Sequence, residues 1–497
     1  MAYQPSTFTY PAGSFLGNRP RLSLFVWISA AAVVALLQAM ASTISWKIGL
    51  AAVIALFFSM VLIARPVLLL PLAGITVVLE GVTLSGMPVT RLLAPGAAMV
   101  VIAEFLRGGG RIRPSPPLVW ATLYVSWAIL SGLWSEGADG TRFLLQSLAI
   151  ALIYMFAFAV LLNSERDLKL FLYPVVLVAA LIAGLSVVAF GTPGLQIPYL
   201  TLLQAGRAQG AVGDPDFFAA MCLVFIPLGV VLASDARQKW VRLLMVGATV
   251  TLLAGTFLSL SRGAFLATML LGIIFMATRP ERLFRARREK AAALFIIALG
   301  MIGFFSRPFL REEVVTRAQS IYAPKTQEEA SGAGRTELWK GALRTARENP
   351  ILGVGFGSFP IISQELILHT PNVNPLVFQK RREGDNFVAH NTYLGTAAEL
   401  GFTGLFLYLA LIVSTGLSLL KTSRRALQGG APFAGRVAYA LVLGLTAWVA
   451  CMFFLNGESA RTFWIVIGIA LALPKLIPDP VPERARRYRT PSNAPTS

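Results

Sequence analysis

Charged side chains make up only 13% of the 497 residues, against 56% that are hydrophobic. Soluble proteins carry roughly 25% charge, so a water-soluble domain is excluded before any motif is read. The two cysteines, Cys222 and Cys451, both fall inside apolar runs, which leaves neither a disulfide framework nor a cysteine metal site. Strand-length alternation of apolar and polar residues is missing, and with it the pattern of a membrane β-barrel. No self-similar halves are visible, so the repeated architecture of many secondary transporters is not inferred. The first 22 residues are polar and no cleavable signal peptide is expected; the first apolar run is long enough to stay as an anchor.

What the chain has instead is a series of apolar runs of about 17 to 25 residues, each long enough to cross a hydrocarbon core about 30 Å thick as a helix. They lie near 23–43, 48–64, 67–84, 92–106, 118–134, 143–162, 170–190, 217–233, 243–260, 263–278, 291–306, 396–420, 434–455 and 461–476. The expected fold is therefore an all-α, polytopic membrane helical bundle. It has fourteen spans, or twelve if a neighbouring pair such as the third and fourth forms a re-entrant hairpin. The expected division is a cytoplasmic tail over 1–22, eleven spans over 23–306, a large partly helical periplasmic loop over 307–395, three spans over 396–476 and a second tail over 477–497.

The formal charge of +19 is spread over loops rather than gathered in one stripe, which argues against nucleic acid as a partner and for a lipid bilayer. With the N-terminus in the cytoplasm, cytoplasmic segments hold 26 Lys and Arg and the short external loops six. The positive-inside rule then makes both termini cytoplasmic.

Three external segments stand out: the loop 191–216, the tight turn at Ser261 and Arg262, and the loop 307–395. Arg262, in LSLSRGAFLA, is a charge between two apolar segments with almost no polar loop around it, an expensive placement that makes it a functional candidate. Arg207, in GRAQGAVGDPDFFAA, is a weaker case of the same kind. Asp214 and Asp216 in that segment are a conceivable cation pair, but a cap by Asp216 on the helix starting at Phe217 is favoured. Glu80, near the outer end of its run, is expected to meet a polar neighbour or water.

The residues TELWKGALRTAREN, 336–349, predict a helix ended by Asn349 and Pro350, with Trp339, Leu343 and Ala346 on one face and Lys340, Arg344 and Arg347 on another. It either lies along the bilayer surface or packs on the protein. GVGFGSF, 353–359, suits a tight loop close to backbone or ligand. The chain has two histidines. His390, followed by Asn391 just before a span, sits at the membrane surface; His369, beside Thr370 and Pro371 in a polar stretch, has no such setting.

Taken as a series, SRGAFLA at 261–267, GRTELWKGAL at 334–343, ENPILGVGFGSF at 348–359 and HNTYLGTAAELGFTGL at 390–405 resemble the bacterial O-antigen ligase and O-antigen polymerase superfamily. The resemblance covers roughly 200–420. It implies an inner-membrane enzyme with a periplasmic active site, whose donor is a glycan on a polyprenyl diphosphate and whose acceptor is a hydroxyl of lipid A core or of another glycan. On the same resemblance, Arg262, Arg335 and His390 are the catalytic residues and Arg207 contacts substrate. Asn391 and Arg344 are added as substrate-binding candidates. Fixed guanidinium groups suit the charge that builds on a departing diphosphate, and a neutral imidazole suits the proton of the acceptor hydroxyl. No metal or cofactor is required. Polymerase is the alternative to ligase; a flippase, the rival from another class, would line a path through the spans with charge.

Overall fold

The computed structural model describes residues 61–291, 306, 330–368 and 387–478, apart from a few short gaps before 289. The first candidate span and most of the second and eleventh lie outside the described residues. So do His369 and the basic run at 380–382.

Helices dominate. They are α1 (Leu69–Val78), α2 (Val89–Leu106), α3 (Pro116–Leu130), α4 (Ala138–Leu161), α5 (Glu165–Gly191), α6 (Pro215–Asp235), α7 (Lys239–Leu258), α8 (Arg262–Ala277), α9 (Ala330–Glu348), α10 (Phe359–Leu368), α11 (Thr392–Gln428), α12 (Pro432–Cys451) and α13 (Arg461–Ala472). Strand structure among the described residues amounts to two small antiparallel ribbons, β1 (Thr83–Leu84) with β2 (Met87–Pro88) and β3 (Leu203–Gln204) with β4 (Arg207–Ala208). Eight of the helices are long and apolar enough to cross a membrane. The apolar runs form helices because hydrocarbon offers no partner for backbone N–H and C=O groups, which must then bond within the segment.

The boundaries read from hydropathy differ from the helices in two places. The run 67–84 is helical only to Val78, and the β1–β2 ribbon follows before α2. The run 396–420 straddles a break: α11 is interrupted at Gly401, whose φ of 69° and ψ of −178° are not helical.

The centre of the bundle is built on α6 and α13, which are buried along almost their whole length. Helices α7 and α12 flank α6, α4 packs along α13, and α3 packs along α11. Small residues set the closest approaches. A Cβ at Gly468 of α13 would collide with the Met155 carbonyl of α4, and one at Gly444 of α12 would press on the backbone of Val224 in α6. The periphery shows the opposite pattern. On α8, Leu266, Met269, Ile273 and Met276 are 56–66% exposed and recur at three- and four-residue spacing, a stripe for lipid.

The break at Gly401 is where the segment that follows α9 meets the bundle. Residues 350–358 run into it, and each carbonyl freed by the break gains a donor. Val354 N–H donates to Ala398 O at 3.1 Å, Gly355 N–H to Glu399 O at 2.8 Å, and Trp127 Nε1 to Leu400 O at 3.0 Å. Phe402 N–H is returned to Pro350 O at 2.7 Å. Gly353, Gly355 and Gly357 all have positive φ. A Cβ on Gly353 would collide with the backbone of Glu399, and one on Gly357 with that of Gly140. Of the two uses expected for this loop, backbone packing is the one observed. Helix α9, helical over the predicted stretch, packs on α11 through buried Leu338, Ala342 and Ala346. Its outer face carries the Lys340–Glu337 and Arg344–Glu348 pairs.

Gly401→Ala should be costly, because the new Cβ meets the Ile351 carbonyl in a backbone region that L side chains avoid; about 1–3 kcal/mol is the usual scale. Gly272→Ala, on the open outer face of α8, should be neutral. Melting temperatures of the two purified variants in detergent test this: equal values would contradict the role given to the break.

Candidate active site

The loop before α6 is organised by two aspartates with different tasks. Asp214 is the cap: its Oδ1 accepts from the N–H groups of Asp216 and Phe217, both at 2.8 Å, and Pro215 follows at the first helical position, where its missing N–H costs nothing. Burial, with the negative charge of Asp216 adding to it, raises the Asp214 carboxyl above its ordinary range even though these two amides favour its charged form. The cap expected from Asp216 is therefore made two residues earlier. That leaves the Asp216 carboxylate to face inward.

There it gathers three segments from one end of the bundle. Arg207 of β4 donates from Nη2 to Asp216 Oδ1 at 2.6 Å, Arg335 of α9 donates from Nη2 to Oδ2 at 3.3 Å, and Ser261 bonds the same carboxylate. Arg207 Nε also donates to Ser259 O at 2.9 Å. The two guanidiniums are 20% and 30% exposed while the Asp216 side chain is 11% exposed. Both arginines are thus anchored from behind by one buried carboxylate, with donors left over on their outer edges.

Arg262 follows Ser261 directly and opens α8. His390 precedes Asn391, whose Oδ1 caps α11 by accepting from Tyr393 and Leu394 N–H at 3.0 Å. The capping role accounts for that oxygen of Asn391. Leu260 and His390 are the non-glycine residues with positive φ among the described residues, at 52° and 47°. A left-handed conformation at such residues is uncommon and collects at functional positions. One flanks Arg262 and the other is the candidate base.

A short loop, 452–460, joins these pieces. Asn456 Oδ1 accepts from Asn391 N–H at 3.1 Å, and Thr392 bonds the loop at Met452, Leu455 and Gly457. From the same loop Phe454 lies against Gly263 of α8, and its ring centroid is 6.4 Å from that of Trp339, one turn along α9 from Arg335. The starts of α6, α8, α9 and α11 are in this way held at one end of the bundle, together with Arg207, Arg262, Arg335 and His390.

Residues 247–409 match the family model described as O-Antigen ligase. This segment belongs to the O-antigen ligase superfamily. The match supports glycosyltransferase function of the O-antigen ligase or polymerase type. No match is found among curated proteins. Arg262, Arg335 and His390 lie inside the O-antigen ligase segment; Arg207 and Asp216 precede it.

Arg344 does not join the group. It lies nine residues beyond Arg335, roughly 13 Å along α9 and on the opposite side of the helix, where it pairs with Glu348 at 2.8 Å. Glu80 finds a polar neighbour in an ion pair with Arg461. Two buried carboxyls went unnoticed in the sequence. Glu399 Oε2 accepts the Gly357 N–H at 2.8 Å, while the Gly353 and Gly355 amides donate to the carbonyls of Asn349 and Glu399. Glu458, in the 452–460 loop, is driven above the usual carboxylate range by burial. The pattern AAELG around Glu399 offered one signal, an acid in an apolar stretch beside a helix-breaking glycine.

Because Asp216 ties α9 to the bundle, Asp216→Asn should loosen it. Hydrogen exchange of the 335–346 amides should quicken and glycan transfer should fall at least about tenfold, since one charged partner of two cations is gone. Unchanged protection in this segment would contradict the anchoring role.

Proposed function

We propose that the protein is an inverting, metal-independent glycosyltransferase. It moves a glycan from a polyprenyl-diphosphate carrier to an acceptor hydroxyl at the periplasmic face of the bacterial inner membrane. The observation that carries this reading is the pair of guanidiniums fixed on Asp216 at the same end of the bundle as a conformationally constrained histidine, within and next to the O-antigen ligase segment.

The acceptor oxygen attacks the anomeric carbon as the bond to the diphosphate oxygen breaks. The hydroxyl proton passes to the His390 imidazole, and the charge left on the diphosphate is met by Arg207, Arg262 and Arg335. Donors already positioned need no reorganisation as charge develops, which is the largest contribution available to such a site. A single displacement inverts the anomeric centre. The acids nearest the arginines support this route over a covalent one: Asp214 is engaged by two amides and Asp216 by two guanidiniums.

Against a flippase, the buried charged residues among those described sit near helix ends, at the break in α11 or in a connecting loop. Asp216, Glu399, Glu458 and Arg461 lie at one end and Asp235 and Arg436 at the other; none lines a path between. Orientation rests on charge: the end opposite the arginine cluster carries the dense basic loops, in keeping with a cytoplasmic face. Ligation to lipid A core stands ahead of polymerisation because the run Lys380, Arg381 and Arg382 suits the phosphorylated core. A deletion strain decides between the two. Ligation predicts bare core with full-length glycan retained on the carrier, whereas core capped by a single repeat, or intact lipopolysaccharide with loss of a secreted polysaccharide, contradicts it.

Arg262→Ala and Arg335→Ala should each lower transfer by about 10²-fold or more, and lysine at either position should not restore it, because it lacks the planar fork. Near wild-type turnover of both alanine variants with a purified lipid-linked oligosaccharide would reject the assignment. In the same assay EDTA should leave the rate unchanged. Loss of transfer restored by Mg²⁺ or Mn²⁺ would reject the metal-free route.

A further inference from the structure

At the end of the bundle away from the arginine cluster, α5, α7 and α12 begin and α6 ends. Between them lies a cleft of about 470 Å³ whose lining includes Glu165, Lys169, Asp235, Arg237, Phe433 and Arg436. Its floor is a fixed ion network. Arg436 and Asp235, 7% and 8% exposed, meet at 3.2 Å. Lys169 Nζ reaches the other Asp235 oxygen at 2.9 Å and Glu165 at 2.8 Å, and lies 4.4 Å from the centre of the Phe433 ring. Holding these long cations in place costs side-chain entropy that a solvated surface would not demand, so the network is a preorganised wall rather than a loose charged rim.

The sign of the site follows from what surrounds the cleft. Three cations, Lys169, Arg237 and Arg436, face two carboxylates. Arg237 is exposed and has no ion-pair partner among the described residues. Helices α7 and α12 start at the cleft with no side-chain cap, which adds the positive ends of two helix dipoles and their unsatisfied N–H groups. The balance favours an anion. Just outside, on the first turns of α7, Trp240, Leu243 and Leu244 are 65%, 70% and 45% exposed, an aromatic and two aliphatic side chains placed as at a membrane interface.

We propose that this cleft binds the phosphate of an anionic phospholipid whose acyl chains lie along α7. The phosphate sits among Arg237, Lys169 and the amides that open α7, while Trp240, Leu243 and Leu244 receive the chains. This site is separate from the arginine cluster and does not depend on the transfer reaction.

The test uses the full-length protein, stripped of lipid in neutral detergent, with binding read by native mass spectrometry and by thermal shift. Dioleoylphosphatidylglycerol should bind and raise the melting temperature, and dioleoylphosphatidylcholine should do so at least about fivefold more weakly. Arg237→Gln removes an exposed cation that makes no ion pair among the described residues. It should weaken phosphatidylglycerol binding roughly fivefold and leave phosphatidylcholine unaffected. Glu165→Gln, which removes an acid from the cleft, should strengthen it. Equal binding of the two lipids, an unaltered Arg237→Gln variant, or weaker binding in Glu165→Gln would overturn the proposal. Stabilisation by millimolar inorganic phosphate equal to that by phosphatidylglycerol would overturn the lipid as the source of the phosphate.

Discussion

The end of the bundle that carries the arginine cluster is organised by one buried carboxylate. Asp216 stands at the first turn of one of the two most enclosed helices, and the segments that carry Arg207, Ser261 and Arg335 all converge on it. A cluster of arginines at a membrane surface repels itself and would splay toward lipid phosphates without a counter-charge. A carboxylate behind them neutralises part of that repulsion and fixes the planes of the guanidiniums, at the cost of withdrawing an acid from water. The capping task falls to Asp214, so that Asp216 keeps both oxygens for cations. One carboxylate could not do both.

A second constraint comes from the backbone. A helix interrupted at Gly401 leaves carbonyls without partners, which is tolerated at membrane depth only where protein replaces the lost bonds. Here the replacement is the segment 350–358, so that the same hydrogen bonds which repair α11 also moor the segment that follows α9. The three glycines that make this possible are packed against backbone, and the amide of Gly357 is taken by Glu399. The loop supplies rigidity, and the proposed phosphate contacts fall to side chains.

Much of this was legible from the order of residues alone. The apolar runs gave the helices from 89 to 277 within a few residues, because hydropathy over a membrane length is a strong signal with little competition from tertiary context. The helix over 336–349 and its stop at Asn349 and Pro350 followed from local periodicity and capping chemistry. Arg262 could be picked out because a charge between two apolar segments is costly wherever it points. What could not be read were pairings across long separations. Nothing local in DPDFFAA says which aspartate caps and which receives arginines 9 and 119 residues away. Arg344, a substrate-binding candidate on the same helix as Arg335, is turned by helix geometry to the other side, and Glu399 beside Gly401 was the one local sign of the break in α11.

The central claim is that the donor diphosphate rests on the guanidiniums gathered at Asp216, with the reacting carbon turned toward His390. Electron cryo-microscopy of the protein with a non-transferable lipid-linked diphosphate glycan tests it most directly. The account requires diphosphate oxygens within hydrogen-bond distance of Arg207, Arg262 and Arg335, and the His390 imidazole on the sugar side. A diphosphate bound at the opposite end of the bundle, or in contact with none of these arginines, would contradict it.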